Sequence, residues 1–265
     1  MTAIAVPTTA AAPAGALTST AVFIRRSLTH SVRNVEALTM AIVLPVMLML
    51  LFTFVFGGAL DAEGGYVDYV VPGIILLCAG FGASSTAVDV AEDMSNGIVD
   101  RFRTMPIRAN GVITGHVVAS LVRNLLATGV VIAVALALGF RPTANAAEWL
   151  GALGIVALFI LAITWLFAAI GLVASTPAAA SGYGFALLFL PYLSSAFVPT
   201  DTMPDWLQWV AENQPITPII ETIRAFLFSK DPGSDLWWAL GWCALIIAAA
   251  WAWAAWSFRR RSGRR

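Results

Sequence analysis

Side chains able to carry covalent or acid–base chemistry are few in this sequence, and they are scattered. The single lysine, Lys230, stands between Ser229 and Asp231. A phosphate-binding loop needs a glycine-rich turn running into Gly-Lys-Ser or Gly-Lys-Thr, whose amides and lysine cradle the phosphates. Lys230 has no such setting, so the chain cannot hold ATP in that way. Cys78 and Cys243 each lie inside an apolar run without a second ligand nearby. They read as small core hydrophobes, and no Cys/His/Asp cluster points to a metal. One pairing has catalytic residue types: Ser84 and Ser85 in one apolar run, and His116 opening the next. An intramembrane serine protease would need such a serine within hydrogen-bond reach of a histidine. Small residues such as Gly82-Ala83-Ser84-Ser85 also let helices approach closely, and packing is the preferred reading. The expectation is no catalytic, cofactor-binding or metal residue in this chain.

Charges inside apolar runs are the other candidates. Asp89 lies near the end of the second run, and Arg123 with Asn124 lies within the third. Such residues face a bundle interior or pair with one another. An Asp89–Arg123 ion pair is expected, either as a staple or beside a substrate path. Glu221 and Arg224, three apart, would share a helix face and pair.

The elements that must position these residues follow from composition. The 265 residues are 59% hydrophobic and only 11% charged, whereas soluble domains run at about 45–50% and 25%. Lipid is therefore the solvent for most of the chain. Runs of about 20 apolar residues fall at 38–58, 69–91, 113–139, 149–174, 181–199 and 236–257. They are continuous, not alternating as in lipid-facing barrel strands. The expected fold is an all-α membrane bundle of six transmembrane helices.

Orientation follows from lysine and arginine. With both termini cytoplasmic, twelve arginines lie on the inner side, among them Arg25, Arg26, Arg33, Arg101, Arg103 and Arg108, and only Arg141, Arg224 and Lys230 lie outside. Ten of the fifteen acidic residues fall outside. Tryptophans mark both boundaries: Trp149, Trp206, Trp209, Trp237 and Trp238 at the outer one, Trp251, Trp253 and Trp256 at the inner. The formal net charge of zero argues against a nucleic-acid partner.

Four segments are not spans. Residues 1–20, Ala/Thr/Pro-rich and without a basic residue, read as a disordered cytoplasmic tail, since a secretory signal wants positive charge first. Residues 21–36 carry Val22, Phe23, Leu28, Val32 and Val35 at helical spacing among Arg25, Arg26, His30 and Arg33, which predicts an interfacial amphipathic helix. In the loop after the second run, Ile98, Phe102 and Met105 give a short helix one apolar stripe and Pro106 ends it. A soluble partner could grip such a helix, or it is simply a basic inner loop. From Thr200 to Asp235, two apolar stretches, Asp205–Glu212 and Ile216–Phe228, are too short to span and are split by Asn213-Gln214-Pro215. Segments of that length are re-entrant or interfacial, serving as a cap or as a lid over an exit. Residues 259–265 form a basic tail, and 21–258 the membrane domain.

The chain resembles the membrane subunit of ABC-2 type transporters, most closely the daunorubicin-resistance-like branch of drug-efflux permeases, from about Phe23 to Trp256. The landmarks are Phe56-Gly57-Gly58, Val71-Pro72-Gly73-Ile74 and Gly97-Ile98-Val99-Asp100-Arg101-Phe102-Arg103-Thr104-Met105-Pro106-Ile107. The pattern Pro204, Trp206, Leu207, Asn213, Pro215, Glu221 and Arg224 also fits. That branch has Gly-Arg near the start of the third span and an Asp shortly after; here the positions read Gly115-His116 and Ser120.

The resemblance implies a dimer of six-helix subunits in a bacterial inner membrane, with two ABC ATPase subunits that bind ATP and Mg docked beneath. It makes 97–107 the coupling helix (Gly97, Ile98, Asp100, Arg101, Phe102, Arg103, Met105, Pro106). It makes 201–228 the re-entrant outer gate (Pro204, Trp206, Asn213, Pro215, Glu221, Arg224). The chain and its partner, a second copy of itself or a close homologue, would meet through the first and fifth spans. The implied function is export of a hydrophobic or amphipathic molecule, a drug or lipid-like cargo. Two other classes compete: an ion-driven carrier, which wants carboxylates at the span centres where this chain has none, and a membrane scaffold that recruits a partner through the same inner helix.

Overall fold

A computed structural model of the chain describes residues 35–60, 65–96 and 110–262. Among them the fold is all-helical. Helix α1, Val35–Leu50, runs on through a π-helical stretch, Leu51–Phe56, into the short α2, Gly57–Leu60. Then come α3 (Tyr66–Ser95), α4 (Asn110–Ala137), α5 (Ala146–Val173) and α6 (Pro177–Leu187). Tight 3-10 turns at Leu190–Leu193 and Thr200–Thr202 lead to α7 (Asp205–Asn213), α8 (Ile216–Leu227) and α9 (Gly233–Ser262).

Local chemistry sets several of these ends. At α5, Asn145 Oδ1 accepts from the amides of Ala147 (2.9 Å) and Glu148 (3.0 Å), while Glu148 Oε2 accepts from Asn145 N at 2.7 Å. This reciprocal cap satisfies donors that the first turn would otherwise leave bare. Thr176 caps α6, with Pro177 preset in its first turn.

Five helices are long and apolar enough to cross a membrane: Thr39–Phe56, Tyr66–Ser95, Ile113–Ala137, Ala146–Val173 and Gly233–Ser257. They coincide with the expected runs 38–58, 69–91, 113–139, 149–174 and 236–257. Helix α3 is the hub, packing against α1, α4, α5 and α6, and α5 in turn holds α8 and α9. Some 72% of the apolar window of α3 is buried, against 17% for α1 and 22% for α9. The apolar surfaces of α1 and α9 thus remain open for lipid or another chain.

The stretch 181–199 departs from the expected continuous helix. Helix α6 ends at Leu187, a 3-10 turn follows, and 194–199 is irregular. Pro191 explains the break, since it has no N–H for the Leu187 carbonyl and its ring crowds that oxygen. Within the basic tail, the backbone of 259–262 prolongs α9. The tail 1–20, residues 21–34 of the interfacial helix, and the coupling residues Gly97, Ile98, Asp100, Arg101, Phe102, Arg103, Met105 and Pro106 lie outside the described residues.

Candidate functional site

The broken segment after α6 is buried: Ser194, Ser195, Ala196 and Phe197 are each 5% exposed or less. Buried backbone outside a helix must find partners elsewhere, above all at membrane depth. Here side chains from α3 and α8 provide them. Tyr66 Oη donates to the Phe197 carbonyl at 2.7 Å, and Tyr69 Oη to the Ser195 carbonyl at 2.9 Å. Arg224 Nη2 donates to the carbonyls of Tyr69 (3.0 Å) and Ser195 (3.1 Å). Its Nη1 donates to Glu221 Oε1, and its Cζ stands 4.0 Å above the Tyr69 ring. One guanidinium thus ties α8, α3 and the break together, a task for a planar fork of donors.

The α7–α8 hairpin brings these groups into place. Pro204 precedes α7, and Asn213 Nδ2 donates to the Trp209 carbonyl at 2.8 Å where that helix stops. Trp206 points outward, 72% exposed. Pro215 starts α8, whose Ile216, Ile219, Ile220, Ile223 and Leu227 form one buried stripe. Gln214 Nε2 reaches back to the Leu193 and Leu190 carbonyls. On the other flank, a Cβ on Gly73 would lie 2.7 Å from Ala196 Cβ and 2.9 Å from the Ala196 carbonyl oxygen. Only glycine lets the break press against α3 there.

The far end of α3, about 36 Å away by helical rise from Tyr69 to Asp93, carries a polar seam with α4. Arg123, 5% exposed, donates to Ser85 Oγ (2.6 Å) and the Gly82 carbonyl (3.1 Å), and lies 3.8 Å from Asp89 Oδ2. Thr86 Oγ1 donates to Ser120 Oγ at 2.9 Å, and Asn124 Nδ2 donates to the same oxygen at 3.2 Å. A Cβ on Gly82 would overlap the Asn124 amide at 1.5 Å. His116 Nε2 and Asp93 Oδ2 close the seam at 2.9 Å. Both departures in the third span therefore have partners: His116 takes Asp93, and Ser120 takes Thr86 and Asn124.

Among the described residues no hydrogen bond joins Ser84 or Ser85 to His116. Ser84 Oγ donates to the Phe81 carbonyl and Ser85 Oγ to the Gly82 carbonyl, while His116 is engaged by Asp93. The segment holding Phe102 connects the two helices of the seam.

Asp89, Arg123, Glu221 and Arg224 are candidates legible in the sequence, whereas Tyr66, Tyr69, Ser195, Gln214 and Asp93 escape it. For the seam a signal existed. Positions 82, 85, 86, 89 and 93 recur on one helical face, as do 116, 120, 123 and 124. For the break none existed, because Arg224 and Tyr69 are 155 residues apart.

Known proteins share this sequence pattern. The profile of the ABC-2 type transporter family matches residues 18–228. A daunorubicin resistance ABC transporter permease protein of Streptomyces coeruleorubidus is 28% identical over 209 residues, covering 78% of this chain and 72% of that protein. A probable doxorubicin resistance ABC transporter permease protein of Mycobacterium tuberculosis is 26% identical over 241 residues, covering 89% and 87%. The family profile takes in α1 through α8, the polar seam and the braced break included. A multi-pass membrane chain with this arrangement and this match belongs to the ABC-2 type transporter family.

Proposed function

We propose that the chain is the membrane permease subunit of an exporter driven by a separate ABC ATPase, which binds ATP and Mg, and that its cargo is a hydrophobic or amphipathic small molecule. Family membership carries the reading, and relatives named for daunorubicin and doxorubicin resistance support a drug-like cargo.

In this reading the chain crosses a bacterial inner membrane six times, the fifth time through the broken α6 segment, with both termini cytoplasmic. The excess of arginine on that side supports the orientation. The 97–107 segment grips the ATPase. The α3–α4 seam supports a rigid lever, since its polar contacts bind the two helices flanking that segment. The α7–α8 hairpin closes the exit. A cavity of about 490 Å³ between α1, α3 and α6, walled by Met40, Leu44, Phe81 and Phe185 with Asp89 and Ser85 at one side, suits an amphipathic cargo. The exposed apolar face of α1 supports a second copy docked there.

The test is uptake of fluorescent daunorubicin by inverted vesicles holding the chain and its ATPase. ATP-dependent accumulation that disappears when the ATPase loses its phosphate-binding lysine is the expected result. Accumulation driven by an ion gradient without ATP, or none at all, would overturn the proposal.

A further inference from the structure

A smaller cavity, about 180 Å³, opens on one side between α5, α9 and the end of α6. Its inner wall is buried and includes Leu76 of α3, Phe159 of α5 and Leu188 beside the break. Its rim is half-buried and includes Ile163 and Leu166 of α5, Leu187 of α6 and Ile246 of α9. The space follows from the sequence. Pro191 stops α6 before it can cover this face of α5. Gly80 lets Leu188 settle toward α3, since a Cβ there would lie 3.0 Å from Leu188 Cδ2.

Hydrocarbon suits these walls. Every side chain that lines the cavity is apolar, so water finds no partners there, whereas a space of about 150 Å³ with such walls takes a benzene ring. A group of roughly that size gains dispersion contacts on all sides. Depth narrows the source. Phe159 stands near the midpoint of the span Ala146–Val173, and Ile246 near that of Gly233–Ser257. At the centre of a hydrocarbon core about 30 Å thick the solvent is the ends of acyl chains. The mouth faces that solvent. Helix α5 packs against both α6 and α9, while no comparable interface joins α6 to α9 among the described residues. Leu245, next to Ile246 at the rim, is 57% exposed. A helix from another chain, about 10 Å across, is too broad to enter.

We propose that this cavity binds the end of a phospholipid acyl chain, inserted sideways from the bilayer between α6 and α9. The chain end packs against Leu187 and Leu188, just before Pro191, and against Ile216 at the start of α8. It therefore wedges the α6 side of the break against α5, and lipid becomes part of what holds the break in place. The inference rests on the spans α5 and α9 and not on the exporter reading.

Full-length chain, without nucleotide or ATPase, is placed in phosphatidylglycerol nanodiscs doped with a phosphatidylglycerol that carries a photoreactive diazirine on the last carbon of one acyl chain. Carbene insertion is mapped by mass spectrometry, and the same lipid with its diazirine beside the ester gives the depth control. The expected result is insertion at Leu188, 6% exposed, from the chain end and not from the ester-proximal carbon. Leu245 on the outer face of α9 serves as the lipid-contact standard. Ile163→Phe combined with Ile246→Phe narrows the mouth and lowers insertion at Leu188 about fivefold, the scale of one or two methylenes denied burial, with Leu245 unchanged. If the double variant fails to fold, Ile246→Phe alone lowers it about twofold. Insertion at Leu245 without insertion at Leu188 means that cargo or a neighbouring side chain holds the cavity, and it overturns the proposal. Equal insertion from both lipids, or undiminished insertion in folded variants, overturns it as well. Because no ATP is involved, such a failure bears on this cavity alone, and a failure of ATP-driven uptake bears on the exporter reading alone.

Discussion

His116 Nε2 stands 2.9 Å from Asp93 Oδ2, joining the start of α4 to the end of α3 on either side of the segment that contains Phe102. Both side chains are nearly buried, at 11% and 12% exposure. His116→Ala should cost about 1 kcal/mol of stability and lower cargo-stimulated ATPase activity of the complex while leaving it assembled. His116→Arg, which gives the Gly-Arg that the resemblance implies at this position, should keep stimulation near the original. Equal stimulation in all three proteins would show that the contact transmits nothing.

Arg224 offers the sharpest stability test. Its guanidinium serves two carbonyls, Glu221 and the Tyr69 ring. Arg224→Ala should lose about 3 kcal/mol, the scale of a partly buried charged group with hydrogen-bonded partners left behind. Arg224→Lys should recover only part of that, because a point charge cannot reproduce the fork. Thermal unfolding in detergent reads both, and a lysine variant as stable as the wild type would remove the guanidinium from the explanation.

Gly73 is a packing prediction. Gly73→Ala pushes a methyl into Ala196, and such overpacking costs about 1–3 kcal/mol. Ala196→Gly in the same chain should return part of the loss, since the Ala196 carbonyl oxygen still crowds the new Cβ. Strict additivity of the two changes, measured in a double-mutant cycle, would place the strain elsewhere.

Phe102→Asp or Arg101→Glu should abolish co-purification with the ATPase and leave the melting temperature of the isolated chain unchanged. An intact complex with normal transport in both variants would sink the coupling-helix assignment.

Much of the fold was legible because its causes are local or additive. Long apolar runs must become helices in lipid, since every backbone polar group has to be satisfied within the segment. The cap at Asn145 and Glu148 and the shared face of Glu221 and Arg224 follow from spacings of three residues. The polar positions of α3 and α4 also repeat at helical intervals, so the seam itself was present in the pattern, though not its pairing.

What the sequence by itself determined is a helical membrane chain of the ABC-2 kind, with polar residues too costly to leave facing lipid. Tertiary structure alone decided how those residues are answered. Pro191 permits the break, but only packing brings Tyr66, Tyr69 and Arg224 to its carbonyls from 131, 126 and 29 residues away. It likewise gave His116 to Asp93, and Ser120 to Thr86 and Asn124. The reason is physical: a helix face announces itself in three or four residues, whereas a side chain's partner across the bundle is chosen by how helices pack, which no local spacing records.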